Sequence, residues 1–220
     1  MDEYTRKIRL VLLIAGSGTT MQAILDACRL ERLNAQVVAV FSHEPYEYGL
    51  LRAEREGVAA FLHDLSNYRF EGRSQHEYDT DLAERVAAIH PDYVVVAEWK
   101  LPLGSAFLEH FPNRVIHLHS GLPGQFPLFD PYGQNPVSRA FDAYNNGLIR
   151  ETGVNLHILR DAAASGPVLA QERVPIYEYD TLLDLEDRFI RAAQDSLING
   201  LRLLIATGER EYNQHWWDRG

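Results

Sequence analysis

The sequence predicts an α/β protein, a Rossmann-like, mostly parallel twisted sheet flanked by helices. Three observations carry this. Short runs rich in valine, isoleucine and leucine alternate with amphipathic stretches of helical period through the first half. The first run, Ile8 to Ile14, leads directly into a glycine-rich turn, Gly16-Ser17-Gly18-Thr19-Thr20. With 46% hydrophobic and 24% charged residues over 220 positions, wholesale disorder is excluded, and the chain can bury a core that needs neither disulfide nor metal.

The elements follow in order. Ile8 to Ile14 is a nearly continuous β-branched and leucine run, the pattern of a strand covered on both faces. Met21, Ile24, Leu25 and Cys28 recur at helical spacing and predict a helix from Met21 to Leu33. Val37 to Phe41 is a second strand, Ser42 to Gly49 a loop, and Leu50 to Glu56 a short helix closed by Gly57. Val58 to Leu62 reads as a third strand and polar Asn67 to Gln75 as a surface loop. Tyr78, Leu82, Val86 and Ile89 define one face of a helix over His76 to His90, stopped by Pro91. Asp92 to Ala97 and Val115 to His119 are further buried runs. Strands alternating with helices in this way imply right-handed parallel βαβ units.

The second half changes character. Ser120 to Pro136 is rich in proline and glycine and predicts a long loop, followed by a helix that ends over Phe141 to Asn146, near Gly147. Thr152 to Leu159 and Val168 to Ile176 read as two strands with a turn at Gly166 and Pro167. Thr181 to Ala206 is one long amphipathic helix. The tail, 208–220, is polar except for Trp216 and Trp217, a pair expected to pack down rather than stand in water. One domain spanning 1–220 is expected, with halves meeting near residue 100.

Charge and cysteine content narrow the function. Thirty-one acidic against 21 basic residues give a net charge of −10, which disfavours nucleic acid and anionic membrane as partners. The single Cys28 excludes an internal disulfide and fits a reducing compartment. Leu10 to Ala15 is too short to span a membrane and lacks a cleavage signal, so a cytoplasmic location is expected.

Three segments can carry chemistry. Gly16 to Thr20 joins the first strand to the first helix, where glycines admit a ligand to the backbone and helix N–H groups face an anion; the alternative is a tight turn capped by Thr19 or Thr20. Met21 at the third glycine position excludes a dinucleotide fingerprint, and the absence of a following lysine excludes a Walker loop. In Val115-Ile116-His117-Leu118-His119-Ser120, the two histidines share one face of a strand whose end is where open α/β sheets place ligands. They suit general acid–base work, while a zinc site completed by His157 or Asp130 is a remote alternative. In Gly153-Val154-Asn155-Leu156-His157, Asn155 and His157 share a face, and a loop containing Asp161 and Ala164 follows.

These motifs, in this order, resemble the formyltransferases that use 10-formyltetrahydrofolate, most closely their phosphoribosylglycinamide formyltransferase branch. The carrying segments are IRLVLLIAGSGTTMQAIL, VVAVFSHEPYEYGLLRAEREGV, PDYVVVAEWKLPLGSAFLEHFPNRVIHLHSGLPG and TGVNLHILRDAAASGPVLAQERVPI, and the resemblance covers the chain from Ile8 to about Thr207. The resemblance implies formyl transfer from 10-formyltetrahydrofolate to an amine of a phosphorylated small molecule, as in purine synthesis, with no metal. It implies a substrate-phosphate site at Gly16, Ser17, Gly18, Thr19 and Thr20. It implies catalysis at His119 and His117, and a folate pocket at Trp99, Leu101, Leu103, His157, Asp161 and Ala164. A homodimer is a weaker expectation.

Several positions depart from the family pattern. The catalytic asparagine is replaced by His117 and the aspartate by Ala164; a Glu-His pair on the long helix is replaced by Ala193 and Gln194. Glu98 stands in place of glycine and Leu101 in place of arginine, and the loop Gln125 to Pro136 is longer. A protonated His117 is the expected substitute for the asparagine amide as a donor to the developing oxyanion. Asp161 or Asp130 could supply the carboxylate. A catalytically silent relative that binds a phosphorylated or folate-like ligand is the alternative reading.

Overall fold

A computed structural model describes residues 6–127, 135–160 and 165–217, with the side chains of 165 and 208–217 outside that description. Strands β1 (Ile8–Ile14), β2 (Ala35–Ser42), β3 (Ala59–Leu62), β4 (Tyr93–Val96) and β5 (Val115–Ser120) run parallel. Strands β6 (Glu151–Leu159) and β7 (Ser165–Pro175) extend the sheet antiparallel, in the order β3-β2-β1-β4-β5-β6-β7. The helices are α1 (Thr19–Arg29), α2 (Tyr48–Arg55), α3 (Leu65–Phe70), α4 (Gln75–Ala87), α5 (Ser105–Leu108), α6 (Pro136–Asn145) and α7 (Leu182–Trp217).

Each parallel strand feeds both faces. Leu10, Leu12 and Ile14 of β1 join Met21, Ile24 and Ala27 of α1 and Leu185, Phe189, Leu197 and Leu201 of α7. Val11 and Leu13 join Tyr78, Leu82 and Val86 of α4 and Phe107 of α5 on the opposite face. Gly200 lets α7 lie close on the sheet: a Cβ there would come within 2.4 Å of Leu156 Cδ2.

Three sequence expectations are corrected. Asn67 to Gln75 is not all loop, because the Asp64 side chain accepts from the Ser66 amide and starts α3 over Leu65–Phe70. The capping box of Ser74 and Glu77 then starts α4. Gly166 and Pro167 do not form the turn; they lie inside β7, at the sheet edge where a proline's missing N–H costs no ladder bond. The long helix runs on to Trp217 rather than ending near Ala206. The side chains of Trp216 and Trp217, like Asp130, Asp161 and Ala164, lie outside the described residues. Among the described residues no helix is long and apolar enough to cross a membrane.

Candidate active site

The turn after β1 is built from two left-handed glycines, Gly16 at φ 75° and Gly18 at φ 70°. Gly18, rather than Thr19 or Thr20, occupies the N-cap of α1, and no side chain caps the first turn. The Thr20 hydroxyl instead donates to Glu98 Oε1 at 2.9 Å. Gly49, which no local pattern singles out, holds the turn from behind: its amide donates to Gly16 O at 3.0 Å. A Cβ on Gly18 would lie 2.9 Å from Gly49 Cα, so a side chain there would force α2 away rather than fill the anion's place. Arg52 Nε donates to Ser17 O at 3.1 Å, and the Glu47 carboxyl accepts from the Gly16 amide.

Across the sheet, strand alternation sets four polar side chains together. Ile116 and Leu118 of β5, and Val154, Leu156 and Ile158 of β6, enter the core beneath α7. The residues between them face the other way. Antiparallel register places His117 opposite His157 and His119 opposite Asn155. All four are buried, none more than 5% exposed. His117 Nδ1 and His157 Nε2 are 3.3 Å apart, His157 Nδ1 lies 2.9 Å from Asn155 Oδ1, and Asn155 Nδ2 donates to Gly121 O at 2.8 Å. The His119 ring centroid is 6.1 Å from that of His117 and 6.4 Å from that of His157.

Burial and mutual repulsion keep the His117 and His157 imidazoles neutral. Desolvation, reinforced by His119, lowers His157 to about 4, and desolvation with both neighbours holds His117 well below its ordinary range. The expectation of a protonated His117 is therefore corrected: this group is uncharged at neutral pH.

Between the turn and the histidines lies the segment after β4. Val96 pairs with His117, so Glu98 follows at the level of His119. Asp79 of α4 anchors the segment by accepting from the Gly104 amide at 2.9 Å, and a Cβ on Gly104 would stand 2.6 Å from that same carboxylate oxygen. Trp99 packs its ring 4.5 Å from that of His43, and Lys100 Nζ donates to Glu44 at 3.1 Å. Two buried polar atoms here lack a hydrogen-bond partner among the described residues, Trp99 Nε1 and Glu98 Oε2. Burial raises the Glu98 carboxyl above its ordinary range, against the Thr20 hydrogen bond.

One cleft of about 530 Å³ joins these parts, running from Gly16 and Ser17 past Glu98 and Trp99 to His117 and His119. Phe189 of α7 and Arg139 of α6, neither noticed in the sequence, close its far side. Not every anticipated residue borders it. Gly18 and Thr20 stand behind the turn, Thr19 opens onto a separate groove with Arg52 and Gln194, and His157 forms a second row behind His117. Leu103 is fully buried in the core, and Leu101 packs against the same cluster. Among the described residues no group of three or more histidine, cysteine or acidic side chains could hold a metal ion.

Fold and cleft define an α/β protein whose cleft lies at the carboxyl ends of its parallel strands, where open sheets of this kind place ligands. Comparison with known proteins narrows the class. Residues 8–201 match the formyl transferase family. Phosphoribosylglycinamide formyltransferase of Schizosaccharomyces pombe is 35% identical over 207 residues, covering 89% of this chain and 96% of that protein. The protein of the same name from Dictyostelium discoideum is 31% identical, covering 88% and 96%. The crystal structure of glycinamide ribonucleotide transformylase 1 from Symbiobacterium toebii superposes with a TM-score of 0.78 at 34% identity, covering 90% of this chain and 87% of that one. The chain belongs to the formyl transferase family.

Proposed function

We propose that this protein transfers a formyl group from 10-formyltetrahydrofolate to the amine of a phosphoribosyl substrate of the glycinamide ribonucleotide type. One observation carries the reading: the Gly16–Ser17 turn and His119 border one continuous cleft, so a substrate phosphate and a reacting amine can be held by one molecule. The phosphate end is the Gly16–Ser17 backbone, just ahead of the uncapped start of α1, whose helix dipole favours an anion.

The residues present fit the folate donor. Trp99 borders the cleft with an indole N–H that is buried without a hydrogen-bond partner among the described residues, a donor suited to a heteroaromatic ligand. The Asp79–Gly104 tether keeps this wall in place. The bound folate supplies an activated formyl group. Transfer forms a carbon–nitrogen bond to the amine and breaks one to the departing nitrogen, and a proton leaves the first nitrogen and ends on the second. Negative charge builds on the formyl oxygen meanwhile, and the His119 imidazole is the donor this chain offers to it. Glu98 is the carboxyl of the described residues that borders the same cleft, which supports a part for it in moving the proton.

The test is consumption of 10-formyltetrahydrofolate with and without glycinamide ribonucleotide. Consumption that depends on the ribonucleotide and yields its N-formyl product supports the reading, and binding of both without turnover favours the silent relative.

A further inference from the structure

A hydrogen bond joins Glu98, on the cleft wall, to the start of α1. The Thr20 hydroxyl donates to Glu98 Oε1 at 2.9 Å, across 78 positions of sequence. It ties the segment after β4 to the helix that follows the glycine turn. Glu98 Oε2 is buried with no hydrogen-bond partner among the described residues. Lys100 favours a charged Glu98 only at a distance, because its ammonium is turned to both carboxylate oxygens of Glu44, at 3.1 and 3.3 Å. Burial and the charge of Glu47 oppose ionisation. The Thr20 hydroxyl is thus the described group that fixes where this carboxyl points and stabilises its charged form by direct contact.

From this geometry we infer that Thr20 is a positioning residue: its hydroxyl holds the Glu98 carboxylate in place as the base for the attacking amine. As the amine nitrogen bonds to the formyl carbon, Glu98 takes a proton from that nitrogen. As the bond from the same carbon to the departing nitrogen breaks, the proton passes to the departing nitrogen and the carboxylate is restored. A carboxyl that rotates freely, or that already carries a proton, does not perform the first step. Thr20 lies behind the turn and does not border the cleft, so its side chain acts on the reaction through Glu98. This role rests on the formyl-transfer reading above, but the hold of Thr20 on the carboxyl does not.

The test combines 13C NMR of glutamate-labelled full-length protein with steady-state kinetics. Thr20→Val keeps the shape of the side chain and removes the donor. The Glu98 carboxyl should then titrate about one pH unit higher than in wild type. At pH 7 kcat should fall about 10-fold, with KM for glycinamide ribonucleotide within about twofold. The acid limb of the kcat profile should move upward with the Glu98 titration, because the base must be ionised. Thr20→Ser keeps a hydroxyl and should restore most of both. In a Glu98→Gln background, Thr20→Val should change kcat less than about twofold, because the base it serves is gone. Should Thr20→Val fail to fold, Thr20→Ala is read in the same way. An unmoved Glu98 titration would overturn the inference. Equal losses of kcat in the two backgrounds, the mark of a purely structural role, would overturn it too, as would wild-type kcat in Glu98→Gln. Absence of formyl transfer by wild type, with the Glu98 titration shifted as stated, would count against the proposed activity and leave the hold of Thr20 on Glu98 standing.

Discussion

Acidification should expose the neutral histidine cluster through His157. Its imidazole is buried and depressed from its ordinary 6.5 to about 4. Above pH 6.5 it is neutral in folded and unfolded chains alike and has no linkage effect. As pH falls, the unfolded chain takes up the proton first, and the folded state loses stability progressively until His157 itself titrates near 4. A shift of about 2.5 units corresponds to about 3 kcal/mol, a large share of the stability of an ordinary domain. The comparison is His157→Gln, which keeps a polar link between His117 and Asn155 but does not titrate. Urea unfolding at pH 7, 6, 5 and 4 should show wild type losing about 3 kcal/mol more than the variant across that interval. His43, His63 and His117, also lowered chiefly by burial, are present in both chains, so their burial contributions cancel. Parallel loss of stability in the two proteins, or an NMR titration of His157 near its ordinary value, would refute the reasoning.

Three further outcomes are expected. Glu98→Gln keeps an acceptor for the Thr20 hydroxyl while removing a carboxyl beside the anion-binding turn. It should tighten ribose 5-phosphate about 3–10-fold at neutral pH in a calorimetric titration. Gly18→Ala combines a left-handed backbone with a 2.9 Å approach to Gly49 Cα; it should cost at least about 1–2 kcal/mol in thermal unfolding and weaken the same ligand. Gly16→Ala, whose Cβ meets nothing within 4 Å, should cost only the backbone term and less than Gly18→Ala in the same assay.

Much of this architecture was legible because the signals are local. Ile8 to Ile14 became β1 with the bounds its nearly continuous apolar run marked, and two histidines two residues apart had to share a strand face. Asn155 and His157 were placed on one face by the same rule. What was not legible depends on partners distant in sequence. The histidine chain exists only because β6 pairs antiparallel to β5 in the register that sets His117 against His157, and no local pattern states that register. Gly49 matters through its approach to Ile14 and Gly18, which appears only when α2 docks. The charge expected on His117 was wrong for the same reason: burial among two other imidazoles is a tertiary property.

The central claim is that the cleft between the glycine turn and His119 carries formyl transfer. The most direct measurement follows labelled formyl from 10-formyltetrahydrofolate into glycinamide ribonucleotide, with wild type and His119→Ala side by side. Labelled N-formyl product is expected with wild type, and a rate at least about 100-fold lower with His119→Ala, in a variant that still folds. No labelled product from wild type, or equal rates from the two proteins, would contradict it.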